Sequence, residues 1–116
     1  MSPTQPMRPI EFLVLAVLSE QTRHGYGIVQ EINRRTRGRV EVKPGNLYRV
    51  IDRLMQRGLV DEDERRPAKD LDNQRRRYYT ITESGGRALT EEARMLGAIV
   101  DGVRATFPDD APETAR

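Results

Sequence analysis

Residues 44–60 read PGNLYRVIDRLMQRGLV, and this stretch decides the fold. Its apolar residues recur at the three- and four-residue spacing of one helix face, which predicts an amphipathic helix over about residues 46–57. Gly58 follows at the C′ position, where a left-handed backbone commonly ends a helix. The inner face of this predicted helix consists of Leu47, Ile51 and Leu54.

Two further helices are predicted upstream. The first runs from Pro9 to Glu20 and is apolar on all sides, because Phe12, Leu15 and Ala16 lie opposite the face of Ile10, Leu13, Val14, Val17 and Leu18. A helix of this kind is buried all round, and in so small a domain a second subunit is the expected cover. The second helix runs from about Tyr26 to Arg37, where Gly38 ends it. A short β-like segment, RVEV, then precedes Pro44.

A hairpin and a long helix are predicted downstream. LVDEDE and RRRYYTIT read as two strands, since the second alternates with the period of a half-buried strand. Thr82 is a suitable N-cap for a final helix that ends near Phe107. Its apolar residues alternate at spacings of four and three, as in a coiled coil. They are Leu89, Ala93, Leu96, Val100, Val103 and Phe107.

This order predicts a mainly α fold with a small β-hairpin (α+β). A helix-turn-helix followed by a hairpin wing is the winged-helix arrangement, here with a C-terminal dimerisation helix. We divide the chain into a flexible arm (1–8), a winged-helix domain (9–82), the dimerisation helix (83–107) and a disordered acidic tail (108–116).

Composition narrows the function. Cysteine is absent and there is one histidine, which leaves few groups for catalysis and no thiolate for a metal. We therefore expect no catalytic residues, metal or cofactor. Residues 1–58 carry ten basic against five acidic side chains, whereas residues 83–116 carry four against seven. The basic first half is suited to contact with phosphate groups, and the acidic C-terminal part is suited to contact with protein. No signal peptide or membrane span is recognised, so we expect a cytoplasmic protein.

Two basic elements are candidates for contact with double-stranded DNA. On the third helix and just before it, the candidate DNA contacts are Lys43, Asn46, Tyr48, Arg49 and Arg53. Arg49 can read guanine and Asn46 can read adenine. The alternative is a solvated helix face. On the hairpin they are Lys69, Arg75 and Arg76, with Arg65, Arg66 and Arg77. The alternative there is a salt-bridged surface hairpin.

Three blocks together resemble the PadR family of transcriptional regulators: HGYGIVQEI, PGNLYRVIDRLMQRGLV and RRRYYTITESGGRAL. The resemblance covers residues 10–107 and implies a DNA-binding regulator without enzyme activity. It extends the DNA-binding role to Tyr26 and Gly45, and repeats it for Asn46, Tyr48, Arg49, Lys69, Arg75 and Arg76. Asn46 stands where the family usually has Ser or Thr, and Arg49 where it often has Pro.

The short final helix resembles the compact subgroup of that family, whose dimers join through the first and last helices. It implies a homodimer, which we expect to be a repressor bound to an inverted-repeat operator. The interface residues would be Leu13, Val17, Leu89, Leu96, Val100, Val103 and Phe107. Some compact members bind planar aromatic molecules in the dimer cleft. A small-molecule effector stays an open alternative that the residues do not support, because Trp is absent and Leu96 stands where such an aromatic would be expected.

Two other functional classes have less support in the sequence. An enzyme is disfavoured because His24 lies in a turn before a helix, where it suits a capping or surface role, and no phosphate loop is present. A winged-helix protein-interaction module without DNA binding is the remaining alternative, since a fold does not fix function. The basic first half argues against it.

Overall fold

A computed structural model describes residues 6–63 and 77–108. Within them the chain forms four helices and a three-stranded antiparallel sheet of order β1-β3-β2. In chain order the elements are α1 (Pro9–Leu18), β1 (Arg23–His24), α2 (Gly25–Arg35), α3 (Pro44–Gln56), β2 (Val60–Asp63), β3 (Tyr78–Ile81) and α4 (Glu83–Thr106). This order confirms the predicted α+β winged-helix fold.

The core lies between α1, α2 and α3. The predicted inner residues of α3 are buried, and they pack with Ile28 and Ile32 of α2. Helix α1 contacts α2, α3 and α4, so its own chain already buries both Val14 and Leu15. Phe12 stays only partly buried. The all-round apolar character of α1 is thus explained largely within one chain.

Helix α3 ends as the sequence predicts. Gly58 has a φ of 77°, in the left-handed region that glycine adopts without steric cost. Its N–H donates to the carbonyl of Met55 at 3.0 Å, and the N–H of Leu59 donates to that of Leu54 at 2.9 Å. These two bonds form the Schellman motif and satisfy carbonyls that the helix leaves open.

The end of α2 differs from the prediction. The helix stops at Arg35, and the first left-handed residue is Arg37, with a φ of 54°, followed by Gly38 at 78°. The Gly38 N–H donates to the carbonyl of Asn33 at 2.8 Å, and the Arg37 N–H to that of Arg34 at 3.3 Å. The same Schellman motif is therefore built with arginine at its C′ position, one residue before the glycine that sequence reasoning chose.

The prediction of a β-like segment at RVEV is wrong. Residues 39–43 adopt no regular structure, because Val42 is buried in the core and none of the described strands lies beside the segment. The additional strand lies instead at Arg23–His24, which pairs with Tyr79 and Tyr78 of β3. A strand of two residues is too short to show an alternating pattern in the sequence. It is a strand only because it pairs with β3.

The hairpin and α4 are confirmed over their described parts. Val60 pairs with Ile81 and Asp63 with Tyr78, which sets the register of β2 against β3. The hydroxyl of Thr82 accepts the N–H of Gly85 at 2.9 Å, as expected of an N-cap. A Cβ on Gly85 would lie 2.2 Å from the carbonyl oxygen of Leu59, so the start of α4 packs directly on the turn after α3.

An ion-pair network joins the end of α1 to α2. Glu31 accepts hydrogen bonds from Arg34 and from Arg35, the latter at 2.9 Å, and Arg35 also binds Glu20. The hydrogen bond from Arg34, followed by that from Arg35, lowers the pKa of Glu31 from 4.5 to about 2. Glu31 also lies 4.0 Å from Arg23, so the network reaches β1.

This network predicts an acid-side loss of stability. A carboxyl whose pKa is lowered by folding stabilises the native state above its ordinary pKa, and that contribution disappears as the pH falls towards about 2. Glu31→Gln should therefore show a smaller drop in its urea midpoint than the parent between about pH 5 and about pH 2. Glu41→Gln, at an exposed position, is the matched control. Identical pH profiles for the parent and Glu31→Gln would contradict the assignment.

Candidate nucleic-acid interface

The outer face of α3 is open at its N-terminal end. Lys43 is the N-cap residue, and Gly45, Asn46 and Arg49 are all exposed. Arg49 has no hydrogen bond or ion-pair partner within residues 6–63 and 77–108. Burial of the opposite stripe fixes the helix, so the exposed end presents an amide, a guanidinium and an ammonium group in a short length of backbone.

Tyr48 connects this end of α3 to the start of α2. Its side chain is 45% exposed, and a Cβ on Gly25 would lie 2.6 Å from its hydroxyl oxygen. Glycine at position 25 therefore makes room for the tyrosine ring. The N-terminus of α2 and the second turn of α3 form one surface as a result.

His24 shapes the next part of that surface. Its Nδ1 accepts the N–H of Gly27 at 3.0 Å, which caps α2 and bears out the capping role expected of this histidine. The imidazole lies parallel to Tyr26, with ring centroids 6.3 Å apart, and edge-on to Tyr78 at 5.5 Å. Tyr26 is 61% exposed. Sequence reasoning selected Tyr26 but missed that β3 brings Tyr78 to the same place.

Arg53 occupies a different setting from Arg49. Its Nε lies 3.4 Å from a carboxylate oxygen of Glu11, and Arg57 reaches the other oxygen at 3.6 Å. Glu11 is 4% exposed and also accepts the N–H of Arg8 at 3.0 Å. Sequence reasoning missed Glu11. The available signal was a single acid in a strongly apolar helix, three residues after the N-cap.

Part of the predicted wing lies outside the described residues, including Lys69, Arg75 and Arg76. Arg77, at the base of the hairpin, lies 3.8 Å from Glu62. Together with Tyr48, Asp52 and Tyr79 it lines a depression of about 320 Å³ between α3 and the hairpin. Burial raises the pKa of the Tyr79 hydroxyl.

The residues predicted to form a subunit interface fall into two groups. Val17 is 1% exposed and lies in the core of the single chain, where a second subunit cannot reach it. Leu13, Leu89 and Leu96 are partly buried. The far half of α4 is open, and sequence reasoning missed two of its exposed apolar residues, Met95 and Ile99. This open stripe consists of Met95, Ile99, Val100, Val103 and Phe107.

Comparison with known proteins decides the family. Residues 14–91 match the family described as the transcriptional regulator PadR-like family. The chain belongs to the PadR-like family. A relative in Mycobacterium tuberculosis, transcriptional regulator Rv3488, is 37% identical over 73 residues, which cover 63% of this chain and 62% of the relative. Transcriptional regulator YqjI of Escherichia coli is 25% identical over 83% of this chain, which spans only 43% of YqjI.

Solved structures agree with this fold. A PadR-like transcriptional regulator from Bacillus cereus has a TM-score of 0.72 and 21% identity, covering 86% of this chain and 92% of that one. Its membership of the PadR-like family makes this chain a DNA-binding transcriptional regulator and not an enzyme. No group of three metal-binding side chains occurs within the described parts of the chain. No helix there is long and apolar enough to cross a membrane.

The contact between Gly25 and Tyr48 gives a testable prediction for this PadR-like surface. Gly25→Ala should push the Tyr48 ring out of place and weaken binding to duplex DNA about threefold to tenfold, or ~1 kcal/mol. The thermal midpoint should change little, because the ring lies at the surface. Gly86→Ala is the control, since a Cβ there meets nothing within 4 Å. Fluorescence anisotropy with a labelled duplex measures the affinity, and equal affinities for both variants would refute the role of the contact.

Proposed function

We propose that this PadR-like regulator is a sequence-specific repressor that binds an inverted-repeat operator in double-stranded DNA as a homodimer. The observation that carries the proposal is the open N-terminal end of α3, with Asn46 and Arg49 exposed beside Tyr48 and Tyr26. A recognition helix reads base edges in the major groove with its N-terminal residues, so this exposed end has the required position.

Each exposed group has a role suited to its chemistry. The guanidinium of Arg49 matches the two acceptors of guanine, and the amide of Asn46 matches the donor and acceptor of adenine. Lys43 and the hydroxyls of Tyr26 and Tyr48 suit phosphate oxygens, which fix orientation without reading sequence. Gly45 lets the backbone approach the DNA closely, because no side chain stands there. Lys69, Arg75 and Arg76 of the hairpin remain proposed phosphate contacts.

Arg53 is less available for contact with DNA than Arg49, because it forms an ion pair with Glu11. Because its Nε lies by the buried carboxylate of Glu11, only part of its guanidinium is available. We keep Arg53 as a proposed phosphate contact, made by the 39% of its side chain that stays exposed.

The open stripe of α4 supports the homodimer. Its five apolar side chains are 44–75% exposed, which is costly unless another surface covers them. Covering one such side chain contributes about 1 kcal/mol, since burying it completely is worth about 1.5–3 kcal/mol. Leu13, Leu89 and Leu96 extend this stripe towards α1. A two-fold dimer would present two copies of α3, which matches an inverted repeat with half-sites about one helical turn apart.

Repression is the simplest regulatory outcome for these surfaces. Blocking RNA polymerase requires only a DNA-binding surface and a dimer surface. A small-molecule effector, as an optional part of the proposal, would bind in the cleft between two copies next to Leu96. That residue is partly buried and offers an aliphatic wall.

The dimer proposal is tested by placing a charge on the stripe. Val100→Glu should give monomers with weakened operator binding, because a carboxylate cannot be buried there without a partner. Ala105→Glu is the matched control, since position 105 is exposed and lies about 140–160° around the helix from Val100, Val103 and Phe107. Sedimentation velocity should show a dimer for the parent and for Ala105→Glu. A parent that sediments as a monomer at micromolar concentration would defeat the homodimer.

The DNA-binding proposal is tested by selecting duplexes from a random pool with the purified protein. The selected sequences should share a two-fold symmetric motif. Enrichment without any shared motif would leave a non-specific DNA binder, and no retention of duplex at low salt would favour a protein-interaction module instead.

Arg49 then provides the sharpest test of base reading. Arg49→Ala should cost about 1–3 kcal/mol at the selected site and relax the preference at one base pair in each half-site. Affinity for random duplex should fall much less. Both affinities are measured at one fixed salt concentration, because phosphate contacts make each strongly salt-dependent. Equal losses of affinity for selected and random DNA would make Arg49 a phosphate contact. No loss of affinity for either would mean that Arg49 does not contact DNA.

A further inference from the structure

A basic concavity lies at the loop that joins α2 to α3, away from the residues assigned so far. It has a volume of about 650 Å³ and is lined by Arg35, Thr36, Arg37, Arg39 and Val40. Three arginines therefore line one hollow, and none of its lining residues is acidic. A concave surface lined by one sign of charge concentrates its electrostatic field and attracts the opposite charge.

Two of the three arginines that line this hollow, Arg37 and Arg39, have no acidic partner among the described residues. Arg35 is committed to Glu31 and Glu20. Arg37 and Arg39 are exposed and form no ion pair among the residues that the structure describes. Glu41, also exposed, is the nearest acid along the loop and does not line the hollow.

The backbone holds these arginines in place. The hydroxyl of Thr36 donates to the carbonyl of Ile32 at 2.9 Å and accepts the N–H of Val40 at 3.2 Å. The N–H of Arg39 donates to the carbonyl of Thr36 at 3.0 Å. A loop pinned at both ends loses less conformational freedom when it binds a ligand.

The conformation of Arg37 is a second, independent observation. Its φ of 54° places a residue with a Cβ in the left-handed region, whereas α3 ends with Gly58 in the equivalent position. Glycine would relieve the strain at Arg37, and strained residues of this kind cluster at functional sites. Compared with glycine, arginine at position 37 strains the backbone and adds only its side chain.

The hollow also lies close along the chain to the proposed DNA-binding surface. Arg39 precedes Lys43, the N-cap residue of α3, by four residues, so their Cα atoms lie within about 14 Å of each other. Between these two cations the loop carries one acid, Glu41, which is exposed and does not line the hollow. The DNA backbone beside a half-site is the polyanion that passes this end of the helix.

We propose that Arg37 and Arg39 form a second phosphate-binding site, which grips the DNA backbone beside the recognition helix. The inference rests on the proposed DNA-binding function and adds contacts outside α3 and the hairpin. Because phosphates carry no sequence information, this site strengthens binding to selected and random DNA alike.

Arg37→Gly provides a test in which the fold is protected. Glycine suits the left-handed backbone, so the thermal midpoint should stay the same or rise while the guanidinium is lost. The slope of log affinity against log salt should fall in magnitude by about two for a homodimer, since each lost phosphate contact changes it by about 0.9. Arg39→Gln should act in the same direction, and Arg37→Lys should keep the parent slope.

Arg94→Gln is the matched control, because it removes the same charge from an exposed position on α4. It should bind with the parent slope on a short mixed-sequence duplex. If Arg37→Gly and Arg39→Gln both keep the parent slope, the second phosphate site is overturned while the proposed function stands. An acidic protein surface would then be the better partner for the hollow. If the parent itself does not retain duplex DNA, the proposed function and this inference both fall.

Discussion

Burial of one face of α3 is the constraint on which the rest of the structure depends. Leu47, Ile51 and Leu54 enter a core that α1 and α2 complete, and a helix with one face buried must leave the other exposed. Polar anchors then fix the pose of this helix. Glu11 holds its C-terminal half through Arg53 and Arg57, and Gly25 leaves room for Tyr48 nearer its start.

The distribution of charge follows from these contacts. The buried carboxylate of Glu11 takes up cations that face α1, and Glu31 and Glu20 take up those on the last turn of α2. Among the described cations that form no ion pair are Lys43 and Arg49 at the open end of α3 and Arg37 and Arg39 on the loop before it. A modest net charge of +2 thus conceals a surface on which structural and free cations are separated. Only the free cations are available to phosphate without breaking an existing ion pair.

Helix α4 uses its two halves differently. Near its start, Gly85 lies so close to Leu59 that the helix is fixed to the turn after α3. Further along, the apolar residues find no cover within the described chain, and Val103 is 56% exposed. The inner half is therefore fixed to the rest of the chain, whereas the outer half has an apolar face that the described residues leave uncovered.

The sequence by itself determined the elements with strong periodicity or clear end signals. These include α3 with its terminal Gly58, the Thr82 cap of α4, and the exposed end of α3. Such features depend on neighbours in the chain, so local patterns specify them. Tertiary structure alone decided that Arg23–His24 is a strand, that Val17 belongs to the core of a single chain, and that Glu11 binds Arg53. Each of these depends on a residue distant in sequence, and no local pattern records which distant surface will come to lie beside it.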